Sequence, residues 1–292
     1  MNSPALPDPG AFSAAPTSYV SVDNGRIAYE STGEGPLVVL SHGIGDLRQS
    51  YRFLAPLLAA AGYRVVAADL RGHGDSSTGW ASISRSDVAS DLLALVRHLG
   101  GPAVLVGQSL SGGAATIAAA RAPELISSVV ELNPFTRVPK TDLGAMLRVR
   151  RYRRGGLLMG ATVAFRSLGM WLRYLNAAYP AKPADWAEYT AALRAKLSEP
   201  ERMGQFLLTM KTNGADAEAE LAHVTVPVLV VMGSADPDFP DPAAEGAAIV
   251  AALPPGTGTL EVVEGAGHYL HAERPAETAA LITRFLASHA RA

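Results

Sequence analysis

The serine at position 109 lies between small residues, in the segment Gly107–Ser111. The apolar run at 103–106 predicts a buried strand, and the small residues at 112–118 are typical of a helix packed closely on that strand. Such a turn exposes the serine hydroxyl, and amides at the helix N-terminus point at negative charge that develops beside it. We therefore predict that Ser109 is a nucleophile, although Ser111 stands where the usual pattern has glycine. The alternative is an ordinary strand-to-helix loop that contains a serine.

The acid of such a site is predicted to be Asp236. A serine hydroxyl needs a base to take its proton, and the base needs an acid to orient it. Asp236 directly follows an apolar strand-like run, so it should lie at the same sheet edge as Ser109. Asp238 and Asp241 are competing candidates. Asp241 precedes a proline and a helical run, which favours a role as helix N-cap, whereas Asp238 could face solvent or cap the loop.

The base is predicted to be His268, in the last loop before the final helix. The glycines that precede it let the chain bend sharply and bring an imidazole over the sheet edge. His271 is the alternative, and we interpret it as facing solvent or the start of the helix. His42 and His73 also lie beside glycines in loops. We interpret His42 as ordering its loop through hydrogen bonds and His73 as part of a tight structural turn.

Backbone amides that could bind an oxyanion are predicted at two places. Gly43 and Gly45 follow an apolar strand-like run and let the main chain approach a reaction centre closely. The backbone N–H groups of Ile44 and Leu110 are therefore predicted to form an oxyanion hole for a tetrahedral intermediate.

Alternating strands and helices must position these groups. An Asn-Gly pair at 24–25 predicts a tight hairpin, and residues 84–87 resemble a capping box that opens a helix. Strands alternating with helices imply a mostly parallel sheet with helices on both faces. Strands are predicted at 19–22, 26–30, 37–40, 64–68, 103–106, 126–132, 226–232 and 259–263, and helices at 49–61, 84–99, 112–118, 242–253 and 275–288.

The alternation stops between residues 134 and 223, which are helical in character with several proline and glycine breaks. We predict that this segment is a helical insertion over the carboxyl edge of the sheet, where such folds bind ligands. The core domain is then formed by residues 18–133 and 224–292. Apolar residues of the insertion, including Leu157, Phe165 and Trp171, are predicted to line the substrate pocket, and contact with a lipid interface is the alternative.

The first part of the insertion is strongly basic. Residues 135–175 contain nine basic residues and one acid, Asp142, which gives a net charge of +8 against about −10 for the rest of the chain. The segment could attract anionic substrates or contact an acidic membrane or partner. Arginines at 148–154 would spread around one helix axis, which favours an ordinary solvated surface. The basic residues are Arg137, Lys140, Arg148, Arg150, Arg151, Arg153, Arg154, Arg166 and Arg173.

Composition limits the class of protein. Of the 292 residues 48% are hydrophobic and 18% are charged, so a large core is expected, and the net charge of −2 indicates no general attraction to nucleic acid. The chain has no cysteine, which excludes disulfides and thiolate metal sites and fits a cytoplasmic protein. Residues 1–17 carry no Lys or Arg and no long apolar run, and are interpreted as a disordered tail. No apolar run is long enough for a bilayer, so stable membrane anchoring is not expected.

These motifs together resemble the α/β-hydrolase fold, in the branch of esterases, haloperoxidase-like perhydrolases, carbon–carbon bond hydrolases and haloalkane dehalogenases. The resemblance covers residues 18–290 and implies an eight-stranded, mostly parallel sheet, a helical lid after the sixth strand and a Ser109–Asp236–His268 triad. Dehalogenases and epoxide hydrolases use an aspartate nucleophile, but position 109 is serine. The motifs are His42-Gly43, Asp69-x-Arg71-Gly72-His73-Gly74-x-Ser76, Gly107-x-Ser109-x-Ser111, Gly233-x-x-Asp236 and Gly267-His268.

The resemblance and the residues imply a serine hydrolase that cleaves a carboxylic ester or lactone of a small to medium, fairly apolar substrate through an acyl-enzyme. No cofactor or metal is required. The same triad would also serve an acyltransferase, a perhydrolase or a carbon–carbon bond hydrolase. A ligand-binding regulator is disfavoured because a binder has no need of all three side chains. The expected partner is a small acyl substrate rather than nucleic acid, and the expected state is a monomer or homodimer.

Overall fold

The computed structural model describes residues 16–138 and 142–289. Most of the expected tail at 1–17, and Lys140 of the basic segment, therefore lie outside the described residues. One eight-stranded sheet has the order β1-β2-β4-β3-β5-β6-β7-β8, which confirms the predicted fold class. The strands are β1 (Ser18–Val22), β2 (Gly25–Thr32), β3 (Leu37–Ser41), β4 (Arg64–Ala68), β5 (Ala103–Gln108), β6 (Ile126–Leu132), β7 (Val228–Gly233) and β8 (Gly258–Val263).

The sheet is parallel from β4 through β3 and β5 to β8, and β2 runs antiparallel to both of its neighbours, β1 and β4. The β1–β2 hairpin is present, but its turn is not the predicted Asn-Gly turn. Gly25 already pairs with Val22, and the turn residue with positive φ is Asp23, at 39°. Gly25 is needed for another reason, because a Cβ there would lie 2.5 Å from the Trp80 ring.

Helices cover both faces of the sheet because the central strands are apolar on both sides. One face packs against α2 (Arg85–His98), α3 (Leu110–Arg121) and α10 (Pro242–Ala252), and the other against α1 (Leu54–Ala60) and α12 (Pro275–His289). Ser84 caps α2 with a reciprocal bond to Asp87, which confirms the predicted capping box. The short helix α11 (Leu270–Glu273) directly precedes α12.

The helix predicted at 49–61 is divided in the structure. A 3-10 turn at Arg48–Tyr51 precedes α1. The Arg48 side chain is buried, and it forms ion pairs with Glu30, Asp69 and Asp75. The turn therefore faces inward to reach these acids, and the regular helix starts only after it.

The segment between β6 and β7 is helical in its described residues. None of the described helices is long and apolar enough to cross a membrane. The helices are α4 (Leu143–Arg148), α5 (Arg150–Ala164), α6 (Leu168–Ala178), α7 (Trp186–Leu197), α8 (Arg202–Thr209) and α9 (Ala215–Glu218), with a 3-10 turn at Leu221–His223.

Candidate active site

Ser109 occupies a strained turn between β5 and α3. Its φ of 56° and ψ of −120° lie in a region that residues with a side chain rarely adopt, and such strain is concentrated at functional sites. Gly107 permits the turn, because a Cβ there would lie 2.2 Å from the Ser111 carbonyl oxygen. Gly112 permits close passage of the helix, since its Cβ would lie 2.5 Å from the Pro134 side chain.

Ser111, where the usual pattern has glycine, makes its own contacts. Its hydroxyl donates to the His42 carbonyl oxygen at 2.6 Å and lies 2.9 Å from the Ser41 hydroxyl. Ser41 and His42 are both buried. The Ser111 hydroxyl therefore satisfies buried polar atoms of these two residues, which would need other partners if position 111 were glycine. The departure thus links the serine turn to the loop after β3.

The predicted base and acid lie side by side. Nδ1 of His268 is 2.7 Å from Oδ2 of Asp236, and both side chains are buried. The other carboxylate oxygen of Asp236 accepts the backbone N–H of Asp238 at 2.8 Å. With Nδ1 held by the acid, the second ring nitrogen, Nε2, is left to exchange a proton with a hydroxyl.

Asp238, the competing acid, is a secondary partner. Its Oδ2 accepts the Tyr174 hydroxyl at 2.6 Å and lies 3.5 Å from Nδ1 of His268. Burial raises the pKa of Asp238 to about 6, despite the opposing effect of the nearby His268. Burial alone would lower the pKa of His268, but Asp236 and then Asp238 outweigh it and raise that pKa to about 9. The two carboxylates therefore favour the imidazolium form.

Two amides fix the loops that carry the acid and the base. Asn133, at the end of β6, donates to the Gly267 carbonyl at 2.9 Å and accepts the Gly233 N–H at 2.7 Å. Gln108, beside the serine, donates to the His268 carbonyl at 3.0 Å. The ends of β5, β6 and β7 are thereby tied to the histidine loop.

The predicted oxyanion amides belong to residues that line the same cavity as Ser109 and His268, namely Ile44 and Leu110. Leu110 is the first residue of α3, so its N–H has no partner within the helix. Gly43 lies against the serine, and a Cβ there would be 2.7 Å from the Ser109 Cβ. These positions fit the predicted role of the two amides.

The loop that carries Ile44 is held on both sides. The Gly45 N–H donates to Nε2 of His73 at 3.0 Å, and the Gly45 carbonyl accepts the Trp171 indole N–H at 3.0 Å. His42 bonds the Gly43 carbonyl through Nδ1 at 2.7 Å and accepts the Leu70 N–H at 3.2 Å. These bonds confirm that His42 orders its loop and that His73 is structural.

The remaining alternative residues lie outside the cavity. The Asp241 side chain accepts the Ala244 N–H at 3.0 Å, which confirms it as the N-cap of α10. The expectation that His271 faces solvent is wrong, because its side chain is fully buried and packs against Tyr51, with ring centroids 4.5 Å apart and ring planes tilted by 33°. Burial lowers the pKa of His271 well below its usual value, so it is held neutral.

The cavity above Ser109 has a volume of about 410 Å³. Trp171 lines it, as predicted, and is fully buried. The same prediction is wrong for Leu157 and Phe165, which are 63% and 74% exposed and do not line the cavity. The error concerns how α5 is oriented about its axis, because the side of the helix that faces the cavity is not the one that carries Leu157. The α5 residues at the cavity are Tyr152, Gly156, Met159 and Gly160.

Arg85 is a cavity residue that the sequence did not indicate. Its side chain is only 5% exposed, and it donates to the carbonyls of Phe135 and Asn213, each at 2.7 Å. Within residues 16–138 and 142–289, no acidic side chain forms an ion pair with it. Burial lowers the pKa of Arg85 to about 10, so the group is still a cation at neutral pH.

Arg85, Asn133 and Tyr174 all gave weak local signals. Arg85 is the first residue of α2, directly after the Ser84 cap, where an arginine ordinarily faces solvent. Asn133 directly follows β6 at the edge of the sheet that carries Ser109, and its φ is positive, at 44°. Its position after a predicted strand was the one signal in the sequence that it lies near the site. Tyr174 was expected among the pocket-lining residues of the insertion, but the bond from its hydroxyl to Asp238 joins residues far apart in the chain and could not be derived from the sequence.

The acid and the base also belong to a group of side chains that could hold a cation. Among the described residues, Asp236, Asp238 and His268 are the group of acids and histidines whose ligand atoms lie close enough to share a cation, within 4.8 Å. Two of them already form the hydrogen bond that orients the imidazole. The donor set is therefore better suited to proton transfer than to metal binding.

Comparison with known proteins places the chain among hydrolases of one fold. A profile described as "Alpha/beta hydrolase family" matches residues 38–281. The 2-(acetamidomethylene)succinate hydrolase of Mesorhizobium japonicum is 31% identical, over 91% of this chain and 94% of that protein. Epoxide hydrolase A of Mycobacterium tuberculosis is 30% identical, over 93% of this chain and 98% of that protein. A bacterial membrane phospholipase A structure superposes with a TM-score of 0.80 at 24% identity, over 97% and 89% of the two chains.

Proposed function

The chain belongs to the alpha/beta hydrolase family, and on that basis we propose that it is a serine hydrolase that cleaves a carboxylic ester or lactone through an acyl-enzyme. The observation that carries the proposal is the strained backbone of Ser109 in the cavity that His268 also lines, with that histidine held by Asp236. Epoxide hydrolase A is a relative, but the serine at position 109 favours acyl transfer over the aspartate chemistry of epoxide hydrolases.

The same catalytic groups act in both halves of the proposed mechanism, the formation and the hydrolysis of the acyl-enzyme. His268 takes the proton of Ser109 as the hydroxyl oxygen attacks the acyl carbon, and Asp236 stabilises the imidazolium. The N–H groups of Ile44 and Leu110 donate to the oxyanion. His268 then protonates the leaving alcohol. In the second half it deprotonates a water molecule, which attacks the acyl carbon, and it then returns that proton to the Ser109 oxygen as the bond to the acyl group breaks and the acid is released.

The acyl acceptor distinguishes this function from its alternatives. An acyltransferase and a perhydrolase form the same acyl-enzyme and differ only in the nucleophile that resolves it. Water is the acceptor that we propose, because the relatives from Mesorhizobium japonicum and Mycobacterium tuberculosis described above are both hydrolases. Product analysis with an added alcohol or hydrogen peroxide would separate the three activities.

A fluorophosphonate probe tests the nucleophile directly. We expect it to label the native chain at Ser109, because an activated serine attacks the phosphorus and remains covalently bound. Peptide mass spectrometry identifies the labelled residue. A panel of p-nitrophenyl esters of increasing acyl length should then give a maximum of kcat/KM that reports the size of the cavity. Labelling at another residue would contradict the assignment, and so would ester turnover by a protein that the probe fails to label.

Arg85 supports a substrate that carries a carboxylate, although the rest of the cavity wall is largely apolar. Among the described residues the buried guanidinium of Arg85 bonds to carbonyls, so it retains donors for an anion, and charge-assisted bonds to carboxylates are among the strongest in proteins. The relative from Mesorhizobium japonicum is named for a succinate derivative. We therefore propose that Arg85 binds an anionic group of the acyl substrate.

The substitution Arg85→Gln is expected to separate charged from neutral substrates. It should lower kcat/KM about 10- to 100-fold for a p-nitrophenyl ester with a terminal carboxylate, since a hydrogen bond to a charged group contributes about 1.5–3 kcal/mol. The neutral ester of the same length is the internal control, and its kcat/KM should change by less than about threefold. An equal loss for both esters would assign Arg85 to holding the Phe135 and Asn213 loops instead.

A further inference from the structure

Helices α4 and α5 expose several large apolar side chains. Most of the large apolar side chains that the structure exposes lie on these two helices and on the residue after them, and few lie elsewhere in the described chain. Exposed apolar patches of this kind mark sites of contact with partners or membranes. The residues, here called the outer apolar face, are Leu143 (72% exposed), Leu147 (79%), Leu157 (63%) and Phe165 (74%).

A groove of guanidinium groups adjoins this face. Arg150, Arg153 and Arg154 of α5 and Arg173 of α6 line a surface groove of about 510 Å³, here called the arginine groove. Leu157 belongs to both the groove and the outer apolar face, so the two are continuous.

Three of the groove arginines converge because positions 150, 153 and 154 are spaced i, i+3 and i+4 and therefore share one side of α5. Val149 is extended, with φ −99° and ψ 99°, and separates α4 from α5. Arg148 therefore belongs to α4, and Arg151 turns away to donate to the Pro240 carbonyl. The expectation that the arginines spread around the helix axis without forming one stripe is wrong for Arg150, Arg153 and Arg154, which line one groove.

The surface has few acids to balance these charges. In the described part of the basic segment the one acid is Asp142, and its side chain caps α4 through the Ala145 N–H. Among the described residues no ion pair joins an acid to the four arginines of the groove. An ordinary solvated surface intersperses both signs of charge, so this surface departs from that pattern.

We propose that the arginine groove and the outer apolar face dock on an anionic phospholipid bilayer. Arginines beside exposed Leu and Phe are the composition of helices that lie in a membrane interface, where the basic groups bind lipid phosphates and the apolar groups enter the acyl region. A nucleic acid or an acidic protein surface would match the charges but would leave the exposed Leu147 and Phe165 without apolar partners. The bilayer satisfies both parts of the surface.

The position of the surface connects it to the cavity. The inward side of α5, through Tyr152 and Met159, forms part of the cavity wall. A helix with its side chains is about 10 Å across, so a bilayer docked on the outer side lies about one helix diameter from the cavity. Docking would thus bring the cavity close to substrates that partition into membranes.

Vesicle co-sedimentation tests the proposal with the full chain. The protein should bind vesicles of phosphatidylglycerol and phosphatidylcholine and should bind pure phosphatidylcholine at least about tenfold more weakly. The triple substitution Arg150→Gln, Arg153→Gln, Arg154→Gln should weaken binding to the anionic vesicles about 100-fold, since each basic residue near such a surface contributes about fivefold. Leu147→Ser with Phe165→Ser should weaken it about tenfold or more, and all five positions are exposed, so the fold should be kept.

A matched triple at exposed arginines on other faces is the control, namely Arg97→Gln, Arg194→Gln and Arg284→Gln. It should bind vesicles like the native chain. Equal weakening by both triples would overturn the proposal in favour of general charge attraction, and so would equal binding to neutral vesicles or no binding at all. The Ser109→Ala chain should bind vesicles normally, so loss of the proposed hydrolase activity and loss of docking can be told apart.

Discussion

Replacing Ser109 with alanine is expected to lower kcat/KM for an activated ester by at least about 10⁴-fold. The hydroxyl is the only atom lost, and without it the covalent route through the acyl-enzyme is closed, leaving only the residual effect of the oxyanion amides and of binding. The strained backbone at this position should affect the stability of the serine and alanine chains equally, because both residues carry a Cβ at a φ of 56°. Steady-state hydrolysis of a p-nitrophenyl ester measures the loss.

Ser111→Gly is the matched control for that experiment. It removes a second hydroxyl from the same turn, together with its bonds to Ser41 and to the His42 carbonyl. Stability should fall by about 1 kcal/mol or somewhat more, the typical effect of losing such bonds, whereas kcat/KM should stay within about tenfold of the native value. Thermal unfolding separates the two effects. If Ser109→Ala retained hydrolysis with an intact fold, Ser109 would not be the nucleophile; an equal loss in Ser111→Gly would contradict the structural role given to Ser111.

Ser109 could be found from the sequence because its signal is local. The turn needs a small residue at Gly107 and a following helix of small residues, and these constraints are written within a few positions of the serine. The caps at Ser84 and Asp241 are predictable for the same reason, since each depends on bonds to amides three residues away. Alternation of apolar strands with amphipathic helices likewise suffices for the order of the elements.

Orientation of the inserted helices could not be found in this way. Leu157, Phe165 and Trp171 are all apolar residues of one segment, yet only Trp171 faces the cavity, because it packs on Phe206 and donates to the Gly45 carbonyl. Arg85 reaches the cavity only because the loops at Phe135 and Asn213 offer carbonyls to it. These partners are distant in the chain, so neither periodicity nor spacing could indicate them.

The choice between Asp236 and Asp238 leads to the second large effect. Asp236→Asn is expected to lower kcat/KM about 10⁴-fold near neutral pH, because an amide cannot stabilise the imidazolium and can hold the ring in the wrong tautomer. The geometry favours this residue, whose carboxylate lies 2.7 Å from Nδ1 of His268, against 3.5 Å for Asp238. Initial rates for one ester, measured across pH, give the comparison.

Asp238→Asn is expected to act on the pH profile instead. A neutral imidazole is the active base, so the native kcat/KM should rise as pH increases through the His268 pKa of about 9. Asp238 is one of the carboxylates that raise this pKa, so its neutralisation lowers the pKa and moves the rising limb to lower pH. At high pH the rate should stay within about tenfold of the native one, because Asp236 still orients the ring. If Asp238→Asn instead abolished turnover at every pH while Asp236→Asn only shifted the limb, the roles of the two acids would be reversed.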